Sequence, residues 1–159
     1  QDEVANSIVD QLKNTITLRK PAESLVKVQT ESIEAYNLYL KGLYNWNKWA
    51  PDYIQKAIKY FEDAVSSCPD FPLAIARLSA CYIFLGAAGF MSNKIAYSKA
   101  KEYALKSYEL DASLIDSQIS LGMVKYFSDW DWDGAEKCFL KALEINSNSA
   151  ETHQYYAML

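Results

Sequence analysis

The residues best placed to do chemistry lie together at Asp129-Trp130-Asp131-Trp132-Asp133-Gly134, which opens like a calcium-binding loop of alternating carboxylates. Such a loop needs a bidentate carboxylate at its twelfth position. Counting from Asp129, that position is Leu140, which has no oxygen to offer. Gly134-Ala135-Glu136 also reads as a helix start, so Asp131 is expected to cap that helix, with Asp133 and Glu136 favourable in its first turn. Trp130 and Trp132 are then expected to pack around the corner before it. No metal is expected here.

Other chemistry fares no better. His153 is the only histidine, and a metal site or a nucleophile–base pair needs partners that one histidine on a terminal helix does not supply. The chain has no GxxxxGK[ST], GxGxxG or GxSxG, and Gly86-Ala87-Ala88-Gly89 has the wrong spacing to cradle a phosphate. No catalytic residue and no cofactor are expected. Cys68, Cys81 and Cys138 are an odd, widely spaced set, which reads as packed free thiols and suits a reducing compartment. A cytoplasmic setting is the expectation, one that leaves room for membrane attachment elsewhere in a longer parent.

Composition narrows the partners. Half of the 159 residues are hydrophobic and 23% are charged, a globular balance rather than that of a disordered tail. The net charge is −4 and the basic residues are scattered, so nucleic acid is not an expected partner. No apolar run reaches the roughly 18 residues a membrane span needs. The chain opens on Gln1-Asp2-Glu3 without a methionine, which reads as a piece of something longer.

The elements that would position any functional residue are all helical. Val4, Ile8, Leu12 and Ile16 recur every four residues, giving an apolar stripe on a helix that should stop before Pro21. Residues 1–20 are expected to be a helix left from a preceding domain, and 21–31 an extended linker. From Ser32, an N-cap facing Ala35, helical patterns predict segments near 32–48, 52–67, 71–86, 93–110, 113–128, 132–145 and 149–159. Pro51, Pro69 and the polar turns at Asp111-Ala112-Ser113 and Asn146-Ser147-Asn148-Ser149 separate them. No stretch alternates long enough to make a strand.

Self-similarity organises these helices. Ala57-xxx-Phe61-xx-Ala64, Ala100-xxx-Ala104-xx-Ser107 and Ala135-xxx-Phe139-xx-Ala142 align, and Leu78-Ser79, Leu121-Gly122 and Tyr156-Ala157 pair a bulky residue with a small one. The spacings bracket a repeat of about 34 residues, with an insertion of about nine near 86–94 in the second copy, where a loop tolerates it. Small residues let paired helices approach, and stacking buries the face that one hairpin leaves open.

These residues resemble tetratricopeptide repeats from Ile33 onward. The run EAYNLYLKGLYNWNK, then AIKYFEDAVSSCPDFPLAIARLSACY, then SLGMVKYFSDWDWDGAEKCFLKALEINSNSAETHQYY is similar to the repeat region that follows a TolB-like domain in bacterial multidomain signalling proteins, linked to winged-helix or adenylate-cyclase-like domains. Ala112 and Ser147 stand where the repeat usually has proline, and Asn45 and Lys125 where it usually has an aromatic residue. The resemblance implies an all-α, right-handed α-solenoid: hairpins at about 32–68, 70–111 and 113–146, and the first helix of a fourth at 148–159.

The resemblance also implies a concave groove lined by the first helix of each hairpin. Projecting its phase places Tyr39, Leu43 and Trp46 there, with Tyr36 beside them. Arg77 and Phe84 follow from the second hairpin with Leu73 and Ala80, and Asp116, Ile119, Met123, Tyr126 and Phe127 from the third. Gln154 and Tyr155 close the row with Glu151 and Met158. Aromatic and methionine side chains suit a protein or peptide ligand. Tyr39, Leu43 and Ser120 occupy phases where a carboxylate-clamping repeat carries Lys or Asn, so a clamp for chain termini is not expected. The implied function is protein–protein interaction within a larger signalling protein. Two rivals are a spacer or dimerising element that contacts the parent's other domains, and a substrate-recruiting accessory to an enzyme such as a nucleotide cyclase. Tyr155, Tyr156 and Met158 on an unpaired last helix are expected to favour self-association.

Overall fold

Ser32 sets the start of the array. Its Oγ accepts the Ala35 backbone N–H at 3.1 Å, as the sequence predicts, and α1 runs Ile33–Trp46. The structure, a computed structural model, describes residues 32–159, so the expected helix at 1–20 and linker at 21–31 lie outside the described residues. Proline then punctuates the chain: α2 is Pro51–Ser67 and α3 is Pro72–Ala87, each with proline in its first turn, where the missing N–H costs nothing. The helix α4 is Asn93–Leu110, α5 is Ile115–Val124, α6 is Trp132–Ile145 and α7 is Ala150–Tyr156. Among the described residues there is no strand.

The helices pair as α1–α2, α3–α4 and α5–α6, and each pair leans on the next through α2–α3 and α4–α5. The aligned small and aromatic residues sit where the pairs meet: Ala57, Phe61, Ala64, Ala100, Ala104, Ser107, Ala135, Phe139 and Ala142 are all buried. Two glycines explain the closeness. A Cβ on Gly122 would lie 2.6 Å from Phe139 Cε1, and one on Gly42 would lie 2.6 Å from Phe61 Cδ1. The sequence reading recognised Gly122 but not Gly42, although both lie in the last turns of the first helix of their hairpin.

The second hairpin solves the same problem differently. Ser79 replaces the glycine and donates its hydroxyl to Ala100 O at 2.8 Å, and the smaller Ala104 stands in place of phenylalanine. Ser107 Oγ donates to Pro72 O at 2.9 Å and lies 2.7 Å from Ser117 Oγ, so a hydroxyl pair ties this hairpin to the third. The inserted residues are shared between a short loop, 88–92, and longer helix ends on both sides. Gly89, at φ 75, turns the loop, and Leu85 O receives both the Phe90 and Met91 N–H groups.

Two expectations change in the third hairpin. The helix predicted over 113–128 is α-helical only over Ile115–Val124 and continues as a π turn over Lys125–Asp129. Trp130 follows in the left-handed region at φ 55, its N–H closing onto Lys125 O. Trp130 and Trp132 do not pack inside the corner; they are 74% and 57% exposed. Asp131 does cap α6, accepting Gly134 N–H at 2.9 Å, while its other oxygen pairs with Lys125 at 2.7 Å. That carboxylate is fully engaged in ending one helix and starting the next.

Gly42→Val is expected to destabilise the chain by about 1–3 kcal/mol, because the Phe61 ring cannot retreat from a filled core. Urea unfolding followed by circular dichroism checks it; an unchanged midpoint would show that the α1–α2 approach is not tight.

Candidate functional site

The first helices α1, α3, α5 and α7 share the inner face of the array, and Arg77 stands at its centre. From α3 its guanidinium reaches two other helices. Nη2 meets Asp116 Oδ1 of α5 at 2.5 Å, and the two terminal nitrogens hold Glu151 of α7 bidentately, at 2.8 and 3.1 Å. Its Nε is buried with no hydrogen-bond partner, so the fork alone carries the polar contacts. Asp116 and Arg77 side chains are only 13% and 14% exposed, whereas Glu151 is half-open to solvent at 33%.

Electrostatics follow from that burial. Desolvation alone would push the guanidinium down, but Asp116 and Glu151 outweigh it and hold Arg77 protonated well above its ordinary range. Burial pushes the Asp116 carboxyl up, against the pull of Arg77. Tyr39, buried on α1, has its hydroxyl pushed up to about 12 by desolvation, with Arg77 opposing and Asp116 adding. Tyr155 is likewise pushed up to about 12 by burial and by Glu151. The cluster ties three helices together through charge-assisted hydrogen bonds, with Arg77 as the shared donor.

Beside the cluster, a cleft of about 260 Å³ opens between the end of α1 and α7. Leu43, Trp46 and Trp49 form one wall, Gln154 and Tyr155 the other, and Arg77 with Glu151 lies at the bottom. Trp46 and Trp49 pack at 5.0 Å between ring centroids and both lean edge-on against Phe84. Tyr155 is held by stacking on Phe139 at 6.2 Å. The wall is therefore rigid aromatic surface, which loses little entropy on contact with a ligand.

The structure thus brings together Leu43, Trp46, Arg77, Gln154 and Tyr155 of the expected groove, with Phe84 behind them. Tyr39, Trp46, Ile119 and Met123 are buried and support the inner face more than they offer themselves to solvent. A narrow recess beside Arg77 and Asp116 has Ile119 and Met123 on its wall. Tyr126 and Phe127 go elsewhere: with Tyr97, Trp130 and Trp132 they line a larger open cavity of about 720 Å³ at the edge of the third hairpin. Sequence reasoning missed Trp49, which sits after the end of α1 in the left-handed region at φ 51. A tryptophan where glycine or asparagine is the easy choice was the available signal. Of the last helix, Tyr156 is half-buried with its hydroxyl donating to Glu136 at 3.1 Å, so the exposed apolar residues there are Met158 and Leu159.

Known proteins place this geometry. The chain resembles the Sgt2 TPR domain from Aspergillus fumigatus at a TM-score of 0.63 and 20% identity, over 84% of this chain and 81% of that one. The chain has the tetratricopeptide fold. It is a right-handed α-solenoid of helical hairpins. The first TPR of Spaghetti (RPAP3), bound to an HSP90 peptide, matches at a TM-score of 0.62 and 16% identity over 81% of this chain and 94% of that one. The second TPR domain of human RPAP3, in complex with an HSP70 peptide, matches at 0.55 and 12% identity over 78% and 96%. By sequence, the transcriptional regulator HilA of Salmonella typhimurium is 27% identical over 128 residues, 80% of this chain. The same regulator from Salmonella typhi matches equally, and in both the chain spans 23% of the relative's length. No family model matches the chain. No described helix is long and apolar enough to cross a membrane.

Two outcomes test the electrostatics. Arg77→Ala should cost about 3–5 kcal/mol, since it leaves Asp116 buried and unpaired; urea unfolding at neutral pH reads it, and a loss below about 1 kcal/mol would show that the cluster is solvated. For Tyr39 and Tyr155 the folded hydroxyls titrate at about 12 against an ordinary value of 10.0. Their contribution is therefore complete below pH 10 and is lost as pH rises towards 12. Absorbance at alkaline pH should show these tyrosines ionising after the others, together with unfolding.

Proposed function

We propose that this array is a protein-interaction module that holds an extended peptide or a helix in its concave face, within a larger regulatory protein. The observation that carries the reading is the cleft between α1 and α7, walled by Leu43, Trp46, Trp49 and Tyr155 above the Arg77–Glu151 pair. Rigid aromatic walls with one polar group at the bottom are what a short segment needs to be gripped and oriented. Trp49 adds weight: a non-glycine residue in the left-handed region costs backbone energy, and such strain concentrates at functional positions.

The peptides named with the two RPAP3 domains support a peptide as the ligand class. They do not carry over in detail. Arg77 already faces two carboxylates, so an acidic chain terminus would meet a cation that is spoken for. The ligand that fits is one with aliphatic or aromatic anchors and a neutral or basic polar group towards Glu151. A regulatory setting is supported by the likeness to HilA, of whose length this chain spans 23%.

The test is an affinity pull-down from the native cell extract with the wild-type chain and with Leu43→Glu/Gln154→Glu, confirmed as folded by circular dichroism. A partner retained by the first and lost by the second is the expected result. Recovery of the same partners by both, or of the parent protein alone, would replace the adaptor reading with that of a spacer or dimerising element.

A further inference from the structure

The cavity at the edge of the third hairpin shares no residue with the cleft between α1 and α7. It holds about 720 Å³, within the roughly 300–1,000 Å³ of small-molecule sites. Five aromatic rings line it: Tyr97 from α4, Tyr126 and Phe127 from the π turn, and Trp130 and Trp132 from the corner that follows. Two pairs of these rings meet edge-on, Tyr126 with Phe127 at 4.9 Å and 79°, and Trp130 with Trp132 at 6.5 Å and 65°. Crossed rings present both faces and edges, the two surfaces a flat apolar ligand can pack on. Several contacts hold the corner in place. Tyr126 donates its hydroxyl to Met158 O at 3.1 Å, Asp129 meets Lys101 at 2.7 Å, and Asp131 both caps α6 and pairs with Lys125. They secure two uncommon backbone states, the π turn and the left-handed Trp130, and both kinds of departure recur at functional sites.

Charge selects the ligand. Lys94 is the one charged side chain in the lining, and no described residue pairs with it. The carboxylates nearby are engaged or turned elsewhere. Asp129 and Asp131 have their own lysines, and Asp133 lines a different cleft with Glu136 and Tyr156. An unpaired cation therefore stands beside an aromatic cavity with no carboxylate in its wall, and an anion is what complements it. A neutral or cationic ligand would leave Lys94 unanswered. We propose that this cavity binds a small organic anion with a flat apolar body. Its rings lie against Tyr97, Phe127 and the two tryptophans, and its carboxylate, sulfonate or phosphate meets Lys94. The site is separate from the groove reading and does not depend on it.

Two dyes with the same aromatic body test this on the full chain: anilinonaphthalene sulfonate, and phenylnaphthylamine, which lacks the sulfonate. Fluorescence titration should give one saturable site per chain for the sulfonate dye. Lys94→Gln should weaken that dye by about threefold, the scale of an exposed ion pair, and leave the neutral dye unchanged. Trp132→Ala, at an exposed position, should weaken both dyes while circular dichroism stays that of the folded chain. Leu43→Glu/Gln154→Glu, in the other cleft, should change neither. No saturable binding of the sulfonate dye would overturn the proposal. So would an equal affinity for it in the wild-type and Lys94→Gln chains, an equal weakening of both dyes by Lys94→Gln, or a loss confined to Leu43→Glu/Gln154→Glu.

Discussion

The Arg77–Asp116–Glu151 cluster is the interaction on which the inner face depends. In a solenoid each hairpin touches its neighbours, and curvature accumulates from small rotations between them. Arg77 does more than link neighbours. It joins the second hairpin to the third through Asp116 and reaches past it to Glu151 on the last helix. A bidentate guanidinium has little angular freedom, so this contact fixes how far α7 swings towards α1. The cleft exists because of that spacing.

Such a buried cluster is weak evidence for stability, since desolvating three charges offsets most of their attraction. Its value here is geometric. Ala–Phe–Ala packing would hold the first and third hairpins together without it, Phe61 against Gly42 and Phe139 against Gly122, and Ser79 bonded to Ala100 O serves the second. What apolar packing does not specify is the relation between hairpins that do not touch. The hydroxyl pair of Ser107 and Ser117 settles the neighbouring contact, and Arg77 settles the distant one.

Most of the fold was legible because it rests on short-range rules. Proline positions, the Ser32 and Asp131 caps and the Ala-xxx-Phe-xx-Ala spacing are local signals that the packing agrees with, and helix bounds came within a few residues. The third hairpin was less readable. Where the repeat has an aromatic residue it has Lys125, and there the helix widens into a π turn that sends Tyr126 and Phe127 to the hairpin edge and leaves Trp130 and Trp132 in solvent. Helical periodicity cannot register a one-residue change of pitch. For the site, the phase of the repeat named Arg77, Asp116 and Tyr155. Their assembly into one ion-paired cluster was not visible, because it depends on the rotation between hairpins 39 and 74 residues apart in sequence. Trp49 escaped for a different reason: its backbone is left-handed, a state that sequence seldom assigns to tryptophan.

The central claim is that the concave cleft ordered by Arg77 is the surface that meets a partner. The most direct measurement is photo-crosslinking in the native cell from a benzophenone side chain at position 154 in the cleft, beside the same probe at Leu105 on the outer helix α4. The account predicts a discrete protein adduct from position 154 and none from position 105. An adduct from 105 with none from 154 would put the working surface on the outside of the array and contradict it.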